Sequence, residues 1–99
     1  MKPDHILVSQ SEAVIRQRAI FKVIPIYHSR GKNLSQEVAT VRVTIAEEGI
    51  VASAVCANVN APVRELSEEA ARQWKFEPML VDGMPARVVS VLTFRFGKH

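Results

Sequence analysis

The stretch Arg72-Gln73-Trp74-Lys75-Phe76-Glu77-Pro78, then Gly83-Met84-Pro85, then Arg87-Val88-Val89-Ser90-Val91-Leu92-Thr93-Phe94-Arg95-Phe96, decides how this chain folds. It reads as a helix end carrying the only tryptophan, a short extended turn stopped by proline, and a long final β-strand. Pro78 forbids continuation of the helix, since its ring removes an amide hydrogen and clashes with the preceding turn. From Arg87 to Phe96 there is neither glycine nor proline. Val89 and Val91 line one face of that strand; Val88, Leu92, Phe94 and Phe96 line the other. A strand apolar on both faces over part of its length is either covered on both sides or waiting for a partner.

Working back from Trp74, Val63, Leu66, Ala70 and Trp74 fall at steps of three and four, one face of a helix. Arg64, Glu65, Glu68, Arg72 and Lys75 occupy the opposite face, with acids early and bases late as the helix dipole prefers. Asn60 or Ser67 is the expected N-cap, and Pro62 suits a first turn. This helix is expected to pack Leu66 and Trp74 onto a sheet. Upstream, Val41, Val43 and Ile45 alternate with Thr40, Arg42 and Thr44, the period of a half-buried strand. Glu47-Glu48-Gly49 is a turn, and Ile50 to Ala57 is the returning strand of a hairpin.

The N-terminal third carries weaker signals. Ile6-Leu7-Val8 is a short apolar patch, and Ser9 to Arg18 has the composition of a short helix or a solvated connection. Ala19 to Tyr27 is β-rich, but Pro25 confines any strand there to an edge. Ser29 to Asn33 is a loop signal. The pattern as a whole predicts an α+β fold, a small antiparallel β-sheet with helices packed on one face, built on a β-hairpin, helix, β-strand core.

Over about Pro25 to Phe96 the chain resembles the C-terminal domain of TonB-family energy transducers. The hairpin with glycine at its turn is matched around Gly49. The helix ending in Trp, a basic residue, an aromatic, any residue and Pro is matched by Trp74 to Pro78. The Gly-x-Pro turn is matched by Gly83 and Pro85, and the closing aromatic strand by Phe94 and Phe96. The resemblance divides the chain into residues 1–24, an N-terminal segment that adds a strand or helix, and 25–99, the TonB-like domain. It departs from the family at Tyr27, which is followed by His28 with proline ahead at Pro25. Gly31 and Asn33 weaken the helix expected next.

The resemblance implies a periplasmic partner-binding domain rather than an enzyme. Its implied partner is an outer-membrane TonB-dependent transporter, whose extended TonB-box segment adds a strand to the sheet at the last strand. The implied docking edge is Arg87, Val88, Val89, Ser90, Val91, Leu92, Thr93 and Phe94. Arg87 and Arg95 either guard that edge or steer an acidic segment to it. The competing expectation is an edge capped by Ile6–Val8 or by Ile20–Ile26. The family's membrane anchor and proline-rich spacer do not occur in this sequence. The expectation is therefore either the outer domain of an anchored protein in the periplasm, or a free-standing soluble module, cytoplasmic, that binds another peptide or dimerises.

Composition narrows the alternatives. A chain of 99 residues is one domain, and 47% apolar residues suffice for a core. A net charge of +3 is spread as single residues, with no basic run or interleaved aromatics, so no nucleic-acid partner is expected. Cys56 is the only cysteine, excludes an internal disulfide, and sits in an apolar run as a buried hydrophobe. His5, His28 and His99 lack metal-ligand spacing, and Glu47-Glu48 and Glu68-Glu69 sit in a turn and on a solvated face. No cofactor, metal or catalytic residue is expected. No stretch approaches the ~20 apolar residues of a membrane span.

Overall fold

The computed structural model describes residues 6–26 and 37–96. In chain order these form β1 (Leu7–Ser9), α1 (Glu12–Gln17), β2 (Ala19–Phe21), β3 (Glu37–Ile45), β4 (Val51–Cys56), α2 (Val63–Arg72), β5 (Lys75–Phe76), β6 (Met79–Val81) and β7 (Met84–Phe96). The fold is α+β. The main sheet runs β1-β7-β3-β4, with β6 also paired to β7, and β2 pairs with β5 in a separate ribbon.

The hairpin of β3 and β4 forms where alternation predicts it. Ala39, Val41, Val43 and Ile45 are buried, while Arg42 between them is exposed. Gly49 closes the turn at φ +95, a left-handed value that glycine adopts without cost. β7 lies antiparallel to β3 in unbroken register from Ile45↔Val88 to Glu37↔Phe96. That register puts Val88, Leu92, Phe94 and Phe96 on the buried face with Val41 and Ile45.

α2 packs on β3 and β4 through Val63, Ser67, Ala70 and Ala71, all buried. Its expected contacts differ in detail. Leu66 is only half-buried, and Trp74 lies just past the helix end with no exposed surface. Neither Asn60 nor Ser67 caps the helix by its side chain: Pro62 stands at the N-cap position without a side-chain bond, and Ser67 is inside. Trp74 contacts Phe76 in a stacked arrangement, centroids 6.0 Å apart, and Phe94 edge-on at 6.1 Å. Each such pair adds about 0.5–1.5 kcal/mol beyond its area burial. Cys56 is buried.

Two features depart from the expected sheet. It is mixed rather than antiparallel, because β1 runs parallel to β7 with Leu7↔Arg87, Val8↔Val88 and Ser9↔Val89 in register. A strand of three residues is too short to declare its partner by alternation. The final strand begins at Met84, not Arg87, and pairs with β6 across the turn Asp82-Gly83. Both turn residues have positive φ, 51 and 79, which is the twist a two-residue hairpin requires. The N-terminal segment also joins the core. Ile15 of α1 is 2% exposed within the common core, with Val8, Ala19 and Val23 packed against it. The helix expected after Tyr27 lies outside the described residues.

Candidate functional site

The outer edge of β7, opposite β3, is where the sequence places docking. Peptide groups of alternate residues point the same way along a strand. The N–H of Arg87 donates outward to Ile6 O at 2.7 Å, and Val89 O accepts from Gln10 N at 3.1 Å. Thr93 also directs both its N–H and its C=O outward. Arg87, Val89, Val91, Thr93 and Arg95 therefore present the outward groups of this edge.

That edge divides into three parts. Met84–Ala86 is covered by β6, and Arg87–Val89 by β1. The expected docking residues Arg87, Val88 and Val89 thus lie beside a strand of the chain's own N-terminal segment. Ser90 extends this closure by donating its hydroxyl to Gln10 O at 2.6 Å. From Val91 to Phe96 no strand lies alongside among the described residues.

At the centre of that remaining stretch, α1 holds Thr93 with two side chains. Glu12 Oε2 accepts from Thr93 N–H at 2.6 Å, and Glu12 Oε1 accepts from Thr93 Oγ1 at 2.7 Å. Arg16 Nη2 donates to Thr93 O at 2.7 Å. Arg16 also donates through Nε to Glu12 Oε2 at 2.8 Å, so the clamp is itself an i,i+4 ion pair. These bonds involve charged groups and are shorter and stronger than neutral ones.

Local sequence explains how α1 reaches this position. Ser11 caps the helix, its Oγ accepting from Val14 N–H at 3.3 Å. Glu12 follows in the first turn and Arg16 in the last, both favourable to the dipole. A helix of six residues is marginal alone and needs tertiary anchors. Ile15 supplies one by entering the core, and Arg16 another, its guanidinium 5.3 Å from the centroid of the Trp74 ring. Burial alone would raise the pKa of Glu12. The hydrogen bonds from the Thr93 hydroxyl and backbone, and from Arg16, outweigh it and hold the carboxyl below its ordinary 4.5.

Beside the clamp lies an open groove of about 460 Å³ lined by Glu12, Arg16, Ile24, Thr93, Phe94 and Arg95. Of the expected site residues, Leu92 and Phe94 send their side chains into the core, while Val91 and Thr93 are half-buried on the other face. Arg95 is exposed at the groove; Arg87 is half-buried, with its Nε enclosed and without a partner among the described residues.

The other end of the sheet is closed by similar chemistry. Glu68 Oε2 of α2 accepts from the outward N–H of Cys56 at 2.8 Å. A register shift between Thr44 and Ile45 bulges β4 near Ala52, and Ile50 bridges to Lys75. Both devices blunt an edge against strand addition. A glutamate from a helix thus seals each side of the sheet, and the one beside β7 also lines a groove.

Glu12 and Arg16 were not among the residues the sequence singled out. Their local signal was present, a serine cap followed by an i,i+4 Glu–Arg pair. Their target, 81 residues from Glu12 and 77 from Arg16, was not. Among the described residues no helix is long and apolar enough to cross a membrane, and no group of three His, Cys, Asp or Glu is placed to hold a metal. Comparison with protein-family models, with curated proteins and with solved structures finds no match for this chain.

Proposed function

We propose that this chain is the partner-binding domain of a TonB-like energy transducer, docking an extended segment of an outer-membrane transporter by strand addition on β7. The domain then works in the periplasm, as the outer end of a protein anchored in the inner membrane. Support comes from one observation above the others: from Val91 to Phe96 the outer edge of β7 has no strand beside it among the described residues, and the outward groups of Thr93 are held only by side chains. Main-chain hydrogen bonds would supply much of the affinity and alternate side chains the selectivity. The docking edge is narrower than the resemblance implies, since β1 already lies along Arg87–Val89.

Replacing Val91 by proline tests the proposal. Val91 lies opposite Arg42 of β3, but its N–H belongs to the outward set, so the ring leaves the β3 ladder its donors. The variant is expected to keep its circular dichroism spectrum and lose measurable affinity for extended transporter segments in calorimetric titration. Unchanged affinity in a folded variant contradicts docking on β7.

A further inference from the structure

We infer that Glu12 and Arg16 are an internal stand-in for the docking segment, and that an extended acidic segment binds by taking their place at Thr93. This presupposes the docking proposed above, and names both the device that guards the edge and the partner chemistry that releases it.

A strand laid beside β7 would offer Thr93 one carbonyl for its N–H and one N–H for its carbonyl. Glu12 Oε2 fills the first role at 2.6 Å and Arg16 Nη2 the second at 2.7 Å. The two side chains thus reproduce what a neighbouring peptide group does, at a residue centred in the stretch that has no strand beside it among the described residues. They leave by rotating about their own bonds. β1 need not move, because its last paired residue on β7 is Val89. The core contact of Ile15 also stays, since it lies on the other side of α1 from solvent.

Charge selects the newcomer. When both side chains release Thr93, Arg16 turns off its carbonyl and stays on the Trp74 side of the groove without its carboxylate. Arg95 faces the same groove and has no ion pair among the described residues. Two guanidinium groups then border a groove whose only carboxylate among the described residues has left. A carboxylate on the incoming segment restores the pairing, and the exposed Ile24 offers apolar contact to its next side chain on that face. Exchanging one set of hydrogen bonds for an equivalent set changes little free energy, so apolar contact and the extra main-chain bonds at Val91 and Arg95 decide affinity.

Amide hydrogen exchange followed by NMR on the full chain tests the clamp. Leu92, whose N–H faces β3, reports global unfolding. In the wild-type protein Thr93 is expected to exchange at least tenfold faster than Leu92, and in Glu12→Ala about tenfold faster again with Leu92 unchanged. The probe for docking is an acetylated, amidated hexapeptide of alternating valine and threonine carrying one glutamate. It is expected to bind Glu12→Ala at least fivefold more tightly than wild type, and its glutamine analogue more weakly than the glutamate form. Glu12→Gln, which preserves shape, carries the same comparison if the alanine variant does not fold. Thr93 and Leu92 exchanging in step in both proteins overturns the clamp as a releasable device, whatever the peptide does. A released Thr93 with no peptide binding to either protein instead overturns docking on β7, and with it the stand-in role.

Discussion

Trp74 Nε1 donates to the carbonyl oxygen of Val23 at 2.8 Å, fastening the residue just past α2 to the segment that follows β2. One ring thereby serves three structures: it stacks on Phe76, meets Phe94 of β7 edge-on, and carries the guanidinium of Arg16. The clamp on Thr93 is therefore built upon the tryptophan that ends the helix. Trp74→Phe removes the donor and part of the filled volume, and is expected to cost about 2–4 kcal/mol. Urea denaturation measures this, and faster proteolysis within residues 19–26 would follow from the loss of the Val23 bond.

Gly49 and Gly83 both have positive φ, but their surroundings differ. A Cβ on Gly49 would press into the carbonyl oxygen of Phe76, whose own N–H donates to Gly49 O at 2.9 Å. A Cβ on Gly83 would meet open space. Gly83→Ala is therefore expected to cost about 1–2 kcal/mol, the left-handed penalty alone. Gly49→Ala carries that penalty and the backbone collision together, and is expected to cost more than about 2 kcal/mol. Thermal denaturation of the two variants side by side checks the order.

Ser67 is wholly buried in α2, and its hydroxyl has no hydrogen-bond partner among the described residues. Removing an unsatisfied buried polar atom is favourable, and alanine is the better helix former. Ser67→Ala is expected to raise stability by about 0.5–1 kcal/mol. A loss of stability in equilibrium unfolding would show that the hydroxyl is used.

The hairpin, α2 and the final strand were legible because each spans enough residues to display a period: alternation in Val41 to Ile45, steps of three and four from Val63 to Ala70. β1, β2, β5 and β6 have two or three residues each, too few for a period to appear. One of them had a different signal: Asp82-Gly83 lies in a stretch, Val81 to Pro85, that reads as a turn, and it is also the residue pair that a two-residue hairpin favours, marking β6 and the early start of β7. The clamp was illegible for another reason. A glutamate and an arginine four apart on a short helix look like a solvated ion pair, and only tertiary structure reveals that both reach Thr93. Ser67 was hidden similarly, a polar residue at a buried helical position that pattern alone assigns to a cap.

The depressed pKa of Glu12 makes the clamp acid-labile. Its folded value lies below the ordinary 4.5, so the stabilisation is fully present above that pH and is lost as pH falls through the folded value. Stability of the wild-type protein is therefore expected to decline below about pH 4.5 partly on this account. Glu12→Gln, which has no proton to gain, should show a shallower acid limb in denaturation midpoints measured between pH 3 and pH 6, about the span over which a carboxyl titrates. Parallel limbs in the two proteins would mean that the clamp contributes nothing to acid sensitivity.

The most direct measurement is a titration of the isotopically labelled chain with an extended transporter segment, followed amide by amide. Docking on β7 predicts that the resonances of Val91, Thr93 and Arg95 shift together, with those of Ser53 to Val55 on β4 unmoved. Shifts confined to β4, or saturable binding that leaves Thr93 untouched, would contradict it.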